Sequence, residues 1–237
     1  MNLTSETDPL TGRPIGKLVN AWPGAPPGAV ILVGNFGQVE KLDARHGPDL
    51  WRAVKDDDTL WTYMAYGPFP DEAAFLKWIP ERATLTDPHA YVIIDGSTER
   101  AVGIATLMEI RSSMRVIEVG HIVYSPALQR TPLATEAQYL LARYVFETLG
   151  YRRYEWKCNA LNAASRRAAE RFGFTYEGLF RQHMIVKGRS RDTAWFSMLD
   201  SEWPARKRAF ERWLAPENFD DKGRQKQGLA TLHGTGA

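Results

Sequence analysis

Between residues 116 and 158 the chain reads as strand, capped helix, strand. VIEVGHIVY (116–124) is rich in β-branched and apolar residues, and YEWKC (154–158) is a second, shorter strand. Between them Leu133, Ala137, Leu140, Leu141, Tyr144, Val145 and Leu149 recur at spacings of three, four and one, the stripe of an amphipathic helix. Thr131 is a good N-cap. Pro132 then takes the first helical position, where its missing N–H costs nothing, and Gly150 lies where a glycine cap belongs. A parallel strand pair needs a crossover connection, so these two strands can lie parallel in one sheet.

The surrounding segments fit such a sheet. AYVIID (90–95), AVGIATLMEI (101–110) and VIEVGHIVY are separated by turns at Gly96, Ser97 and Ser112, Ser113, and predict an antiparallel meander. Strand-like VILVG and QVEKL flank a turn at residues 35–37. Short helices are expected after Pro48 and after Asp71, the latter ending at Pro80. A helix from about Ala163 to Phe172 closes at Gly173. Strands at about 179–186 and 193–199 flank KGRSRD, and a last helix spans about Trp203 to Leu214. The fold class is therefore mixed α/β, a mostly antiparallel central sheet with flanking helices. Residues 1–28 read as an irregular Pro/Gly-rich lead-in, 29–216 as the domain, and 217–237 as a polar, flexible tail.

Composition narrows the function. With 237 residues, 44% of them hydrophobic, the chain can bury one sizeable core. A formal net charge of +2 gives no footing for a nucleic-acid or membrane-surface partner. No apolar run approaches membrane-spanning length, and the N-terminal segment lacks the pattern of a secretory signal. Cys158 is the sole cysteine, which excludes an intrachain disulfide and points to a reducing, cytoplasmic setting. The five histidines are scattered, so no metal site is expected.

The start of the long helix is a candidate anion site. The N–H groups of Leu133, Ala134 and Thr135 would point out of a helix end carrying about half a positive charge, with Arg130 beside it. Here QRTPLA (129–134) resembles the phosphate loop of the GCN5-related N-acetyltransferases. Gln129 stands first, Pro132 holds the usual glycine place and Ala134 comes last. NAASRRAAERFGFTYEG (162–178), RDTAW (191–195) and EWP (202–204) resemble the RimJ/RimL-like branch of that superfamily. The resemblance implies an acetyl-CoA-dependent N-acetyltransferase whose two parallel strands splay apart. Its loop Gln129, Arg130, Thr131, Leu133, Ala134 and Thr135 would hold the CoA pyrophosphate. The backbone of Ile122, Val123 and Tyr124 would seat the acyl and pantetheine groups, with Asn162 on the pantetheine arm. Proline at 132 removes one amide that glycine would offer.

Attack of an amine on a thioester needs a neutral amine, hence a proton acceptor, and benefits from a donor to the thiolate. Glu118 lies eleven residues before Gln129, an offset at which related histone-acetylating enzymes place a general base. His121 is a rival, on the opposite strand face unless a bulge intervenes. The family's frequent tyrosine acid would fall at Ala169 and is absent; Ser165, three residues after Asn162, can serve instead. Cys158 reads as core. Trp61, Tyr63, Tyr66 and Phe69, in a ring-dense run between the first two helices, would wall the acceptor pocket, though packing accounts for some of them. The acceptor is an amine, either a small molecule or a protein N-terminus, and the enzyme a monomer or homodimer. A CoA-binding module without catalysis is the alternative.

Overall fold

Residues 5–234 are described in a computed structural model of the chain. The strands are β1 (Ser5–Thr7), β2 (Pro14–Gly16), β3 (Ile31–Val33), β4 (Gly37–Lys41), β5 (His89–Asp95), β6 (Ala101–Arg111), β7 (Val116–Tyr124), β8 (Arg153–Asn159), β9 (Thr175–Val186) and β10 (Arg189–Leu199). The helices are α1 (Gly47–Val54), α2 (Glu72–Ala83), α3 (Pro132–Arg143, continued by a π-helical turn to Thr148), α4 (Ala163–Arg171), α5 (Trp203–Leu214) and α6 (Leu229–Gly234). β3 to β10 form one eight-stranded sheet in the order β3-β4-β5-β6-β7-β8-β10-β9. Every neighbouring pair is antiparallel except β7 and β8, which α3 connects as a crossover.

Helices cover both faces. On one face Ile117 and Val119 of β7 pack with α3 and α5 in a core that includes Leu140, Tyr154, Phe196 and Phe210. On the other face Val92, Ile104 and Val123 pack with Leu50 of α1 and Phe75, Trp78 and Ile79 of α2. The cap of α3 forms as its residues dictate, the Thr131 hydroxyl accepting from the Ala134 amide at 3.2 Å. Gly150 follows at φ +71°, the left-handed conformation a glycine adopts without strain. Within α3 the buried Glu136 carboxylate accepts the amides of Asn35 (2.6 Å) and Phe36 (2.8 Å), which ties the turn between β3 and β4 to the helix.

Two expectations are corrected here. Helix α2 runs past Pro80 to Ala83, because proline forfeits only its own donor while the Thr84 amide still reaches the Pro80 carbonyl at 3.1 Å. Residues 217–234 are not a frayed tail. Leu229 and Leu232 of α6 are buried, and Asn218 donates to the carbonyls of Trp213 (3.0 Å) and Gln227 (3.2 Å). Two leucines three apart suffice to anchor one helical turn in an otherwise polar stretch. The N-terminal lead-in wraps the domain: the Gly24 amide donates to Ser112, and the Tyr91 hydroxyl to the Gly28 carbonyl at 2.9 Å.

Candidate active site

The parallel ladder is short. β7 and β8 pair from Val116↔Arg153 to Val119↔Trp156 and no further. Beyond that point β7 continues along β6 and β8 along β10, so the two strands part and leave a gap in the middle of the sheet. A bulge in β7 accompanies the parting. Gly120 pairs with Thr106 and Val123 with Ile104, so His121 and Ile122 together face Ala105, and His121 takes φ +48°. Strict alternation would put Glu118 and His121 on opposite faces. The extra residue returns His121 to the Glu118 face, where its ring lies 5.4 Å from that of Tyr66.

Glu118 sits where the strands part. It is buried, with its Oε2 2.8 Å from Lys157 Nζ on β8. Burial pushes its carboxyl up to about 7, against the opposing pull of Lys157. Lys157 lies 4.0 Å over the Trp195 ring and 3.5 Å from Glu155, whose carboxylate is also held by Arg111 and by Arg153 at 2.7 Å. A carboxyl with proton affinity near neutrality exchanges protons readily at that pH. His121 is held below the ordinary imidazole value, first by burial and then by Arg82 and Arg191.

The start of α4 packs against β8. Asn162 caps the helix by accepting the Ser165 amide at 3.0 Å, and the Ser165 hydroxyl accepts from the Trp156 indole at 3.0 Å. That hydroxyl also lies against Cys158, whose thiol burial pushes up, so the cysteine stays protonated and is a poor nucleophile.

At the start of α3 fewer amides are free than the helix end suggests. Pro132 has none, the Ala134 amide is taken by Thr131, and the Thr135 side chain is buried and accepts from Arg171 at 3.0 Å. Among the described residues the Leu133 and Arg130 amides have no protein partner, and the Arg130 side chain is exposed beside them. Gln129 turns away from this end and donates to the Tyr124 carbonyl at 2.9 Å. The Tyr124 hydroxyl accepts from Gln138 and donates to the Ala134 carbonyl, which fastens β7 to α3.

A sheet of this kind, with flanking helices, occurs in known proteins. The family described as acetyltransferase (GNAT) domain matches residues 39–175. The crystal structure of a GCN5-related N-acetyltransferase from Brucella melitensis superposes with a TM-score of 0.88 at 47% identity, covering 91% of this chain and 99% of that one. The chain belongs to the GNAT acetyltransferase family. A GNAT-family protein from Chromobacterium violaceum ATCC 12472 is 44% identical, with a TM-score of 0.76 over 81% of this chain and 98% of its own. The Bacillus subtilis (strain 168) protein YdaF, which carries a ribosomal N-acetyltransferase designation, is 28% identical over 151 residues, 62% of this chain and 80% of its own. The chain is thus a CoA-dependent N-acetyltransferase with an amine as acceptor.

In this GNAT domain the expected aromatic wall divides in two. Trp61 is 2% exposed and packs edge-on against Phe69, Phe75 and Trp78, so it belongs to the core beneath the wall. Tyr66 and Tyr63 are partly exposed. Tyr66 reaches His121, and the Tyr63 hydroxyl donates to the Leu161 carbonyl ahead of α4 at 3.2 Å. From the other side Lys187, at the tip of the β9–β10 hairpin, donates to the Trp61 carbonyl at 2.9 Å. The sequence reading missed Lys157, Trp195, Arg82 and Arg191. The alternation of β8 does place Lys157 two residues from Glu155 on one face, but only the pairing of β8 with β7 and β10 puts it between Glu118 and Trp195.

Proposed function

We propose that this acetyltransferase uses acetyl-CoA and transfers its acetyl group directly to the acceptor amine, with Glu118 as the proton acceptor. One observation carries the reading: a buried carboxyl, poised at about 7, stands where the parallel pair β7–β8 opens. The pyrophosphate is assigned to the Arg130 and Leu133 amides at the start of α3, with the Arg130 guanidinium adding charge. The pantetheine and acyl groups are assigned to the opening lined by Ile122 to Tyr124, with Asn162 and Ser165 across from them. Acetyl-CoA supplies the thioester. Glu118 takes the proton that the attacking amine sheds, directly or through water. The new C–N bond replaces the C–S bond, and the Ser165 hydroxyl donates toward the departing sulfur. No acyl-enzyme is needed, and Cys158, protonated and buried, is not in the path.

Retention of Glu118 at the opening favours catalysis over a CoA-binding module. Incubation with acetyl-CoA and a panel of primary amines, following free-thiol release and acetylated product, tests the reading. Turnover with at least one amine, and a melting temperature raised by acetyl-CoA alone, are expected. Saturation at about a hundred times the dissociation constant adds about 2.7 kcal/mol of apparent stability. No turnover across the panel, with binding intact, would return the chain to the binding-module alternative.

A further inference from the structure

On the sheet face that carries Glu118 and His121, Glu118 and Glu155 are already engaged by cations. Glu118 is matched by Lys157, and Glu155 by Arg111 and Arg153. Arg82, in the last turn of α2, and Arg191, on β10, have neither an ion pair nor a side-chain hydrogen bond among the described residues. The Nε of each is shut off from solvent with no partner, and so is the indole N–H of Trp195. All three belong to the surroundings of one site. Arg82 lies 5.9 Å from the Trp78 ring, Trp78 packs tilted against Tyr66 at 4.8 Å, and Tyr66 meets His121. Arg82 and Arg191 both act electrostatically on His121, Arg191 acts on Glu118 as well, and Trp195 carries Lys157 on its face. Donors from α2 and β10 thus act on His121 and Glu118, beside which the acceptor amine is proposed to lie.

Burying a cationic donor without an acceptor costs free energy that folding does not recover, so a bound group that supplies the acceptor gains what the empty site lacks. We infer that the acceptor of this enzyme carries a carboxylate close to its amino group, and that Arg82 and Arg191 bind that carboxylate. The inference rests on the acetyltransferase reading above and specifies its acceptor class. Two guanidiniums suit a planar carboxylate and repel a polyamine. Their field also disfavours the protonated amine, so the acceptor enters in the form that attacks. The carboxylate has two sources, the α-carboxylate of a free amino acid or the acidic side chain of a peptide's first residue.

Matched acceptors separate the possibilities. Alanine against alaninamide tests the α-carboxylate, and the dipeptide amide Glu-Ala against Gln-Ala tests the side chain, with spermidine as a cationic control. The expected result is kcat/KM at least about tenfold higher for the carboxylate member of one pair, and slow turnover of spermidine. Arg191→Gln and Arg82→Gln should each raise KM for that member about tenfold or more. They should leave the KM of acetyl-CoA unchanged and slow the amide member much less than the carboxylate member, and Arg191→Lys should recover part of the loss. Equal use of both members of both pairs, or variants that lose the amide and carboxylate substrates alike, would overturn the inference while leaving the acetyltransferase reading intact. Failure to acetylate any amine would instead strike at that reading. For that case, calorimetric titration of the CoA-saturated protein with N-acetylalanine and with its amide supplies an independent readout. The same titration with the N-acetylated Glu-Ala and Gln-Ala amides covers the side-chain source, and equal affinity within both pairs would overturn the carboxylate site.

Discussion

Replacing Glu118 with glutamine should make the protein a worse enzyme and a more stable one, by an amount that depends on pH. Burial raises the folded carboxyl from its ordinary 4.5 to about 7. The folded state therefore holds this proton more tightly than the unfolded chain, and stability falls as pH rises from about 4.5 through 7. At about 1.4 kcal/mol per pH unit the loss amounts to about 3 kcal/mol once pH exceeds 7. Glutamine stays neutral and escapes it, while Lys157 keeps Glu155 at 3.5 Å. Glu118→Gln should therefore match the parent below pH 4.5 and exceed it by about 3 kcal/mol at pH 8, or roughly 6–12 °C in Tm for a protein of this size. Activity should fall about 10²-fold or more, and kcat/KM of the parent should rise with pH to a plateau above about 7. Melting curves of both forms at pH 5, 6, 7 and 8, beside a pH–rate profile, measure all of this. A stability difference that is flat across pH, or a variant less stable at pH 8, would refute the burial argument. A retained rate would move the proton acceptor to His121 or to water.

Pro132→Gly should tighten CoA binding about tenfold or more by adding an amide toward the pyrophosphate, and lower the ligand-free protein's stability by about 0.4–1 kcal/mol, as titration calorimetry and melting would read. Ser165→Ala should slow turnover less than Glu118→Gln does, because a thiolate can leave unprotonated. It should also cost about 1–2 kcal/mol, because the Trp156 indole loses its acceptor, which denaturant titration would detect. Glu136→Ala strands the amides of Asn35 and Phe36 and should destabilise the protein by about 2 kcal/mol or more in the same titration, with the KM for acetyl-CoA little changed.

What could be read in the sequence was whatever a local pattern determines. The β5–β6–β7 meander followed from strand-like runs and turn residues, and α3 from its apolar period and Thr131 cap. The site was half legible. Glu118, Ser165 and Asn162 were singled out by spacing and resemblance; Glu118 lies on the paired stretch of β7, and Asn162 caps α4 at Ser165. The bulge at His121 was not legible, because it exists only relative to Ala105 on another strand. Arg82 was hidden because Pro80 reads as a stop, and a helix that survives its proline carries one more turn toward the cleft. Ala134 was credited with a free amide because a helix end was counted before its cap was known. Residues 217–234 were read as loose from polarity, an average that two buried leucines overrule.

The additional residue in β7 makes tolerance to insertions and deletions a local property of this strand. Removing either His121 or Ile122 would leave Gly120 opposite Thr106 and Val123 opposite Ile104, with one residue now facing Ala105. Every other pair would stay in register, and the result should be a folded protein whose β7 runs straight. The same deletion one turn earlier, at Ile117, would send each following side chain to the wrong face, with Val119 and Tyr124 exchanging the α3 side for the α1–α2 side. Shortening the strand at its bulge is thus the one change in length that separates having the fold from having the opening.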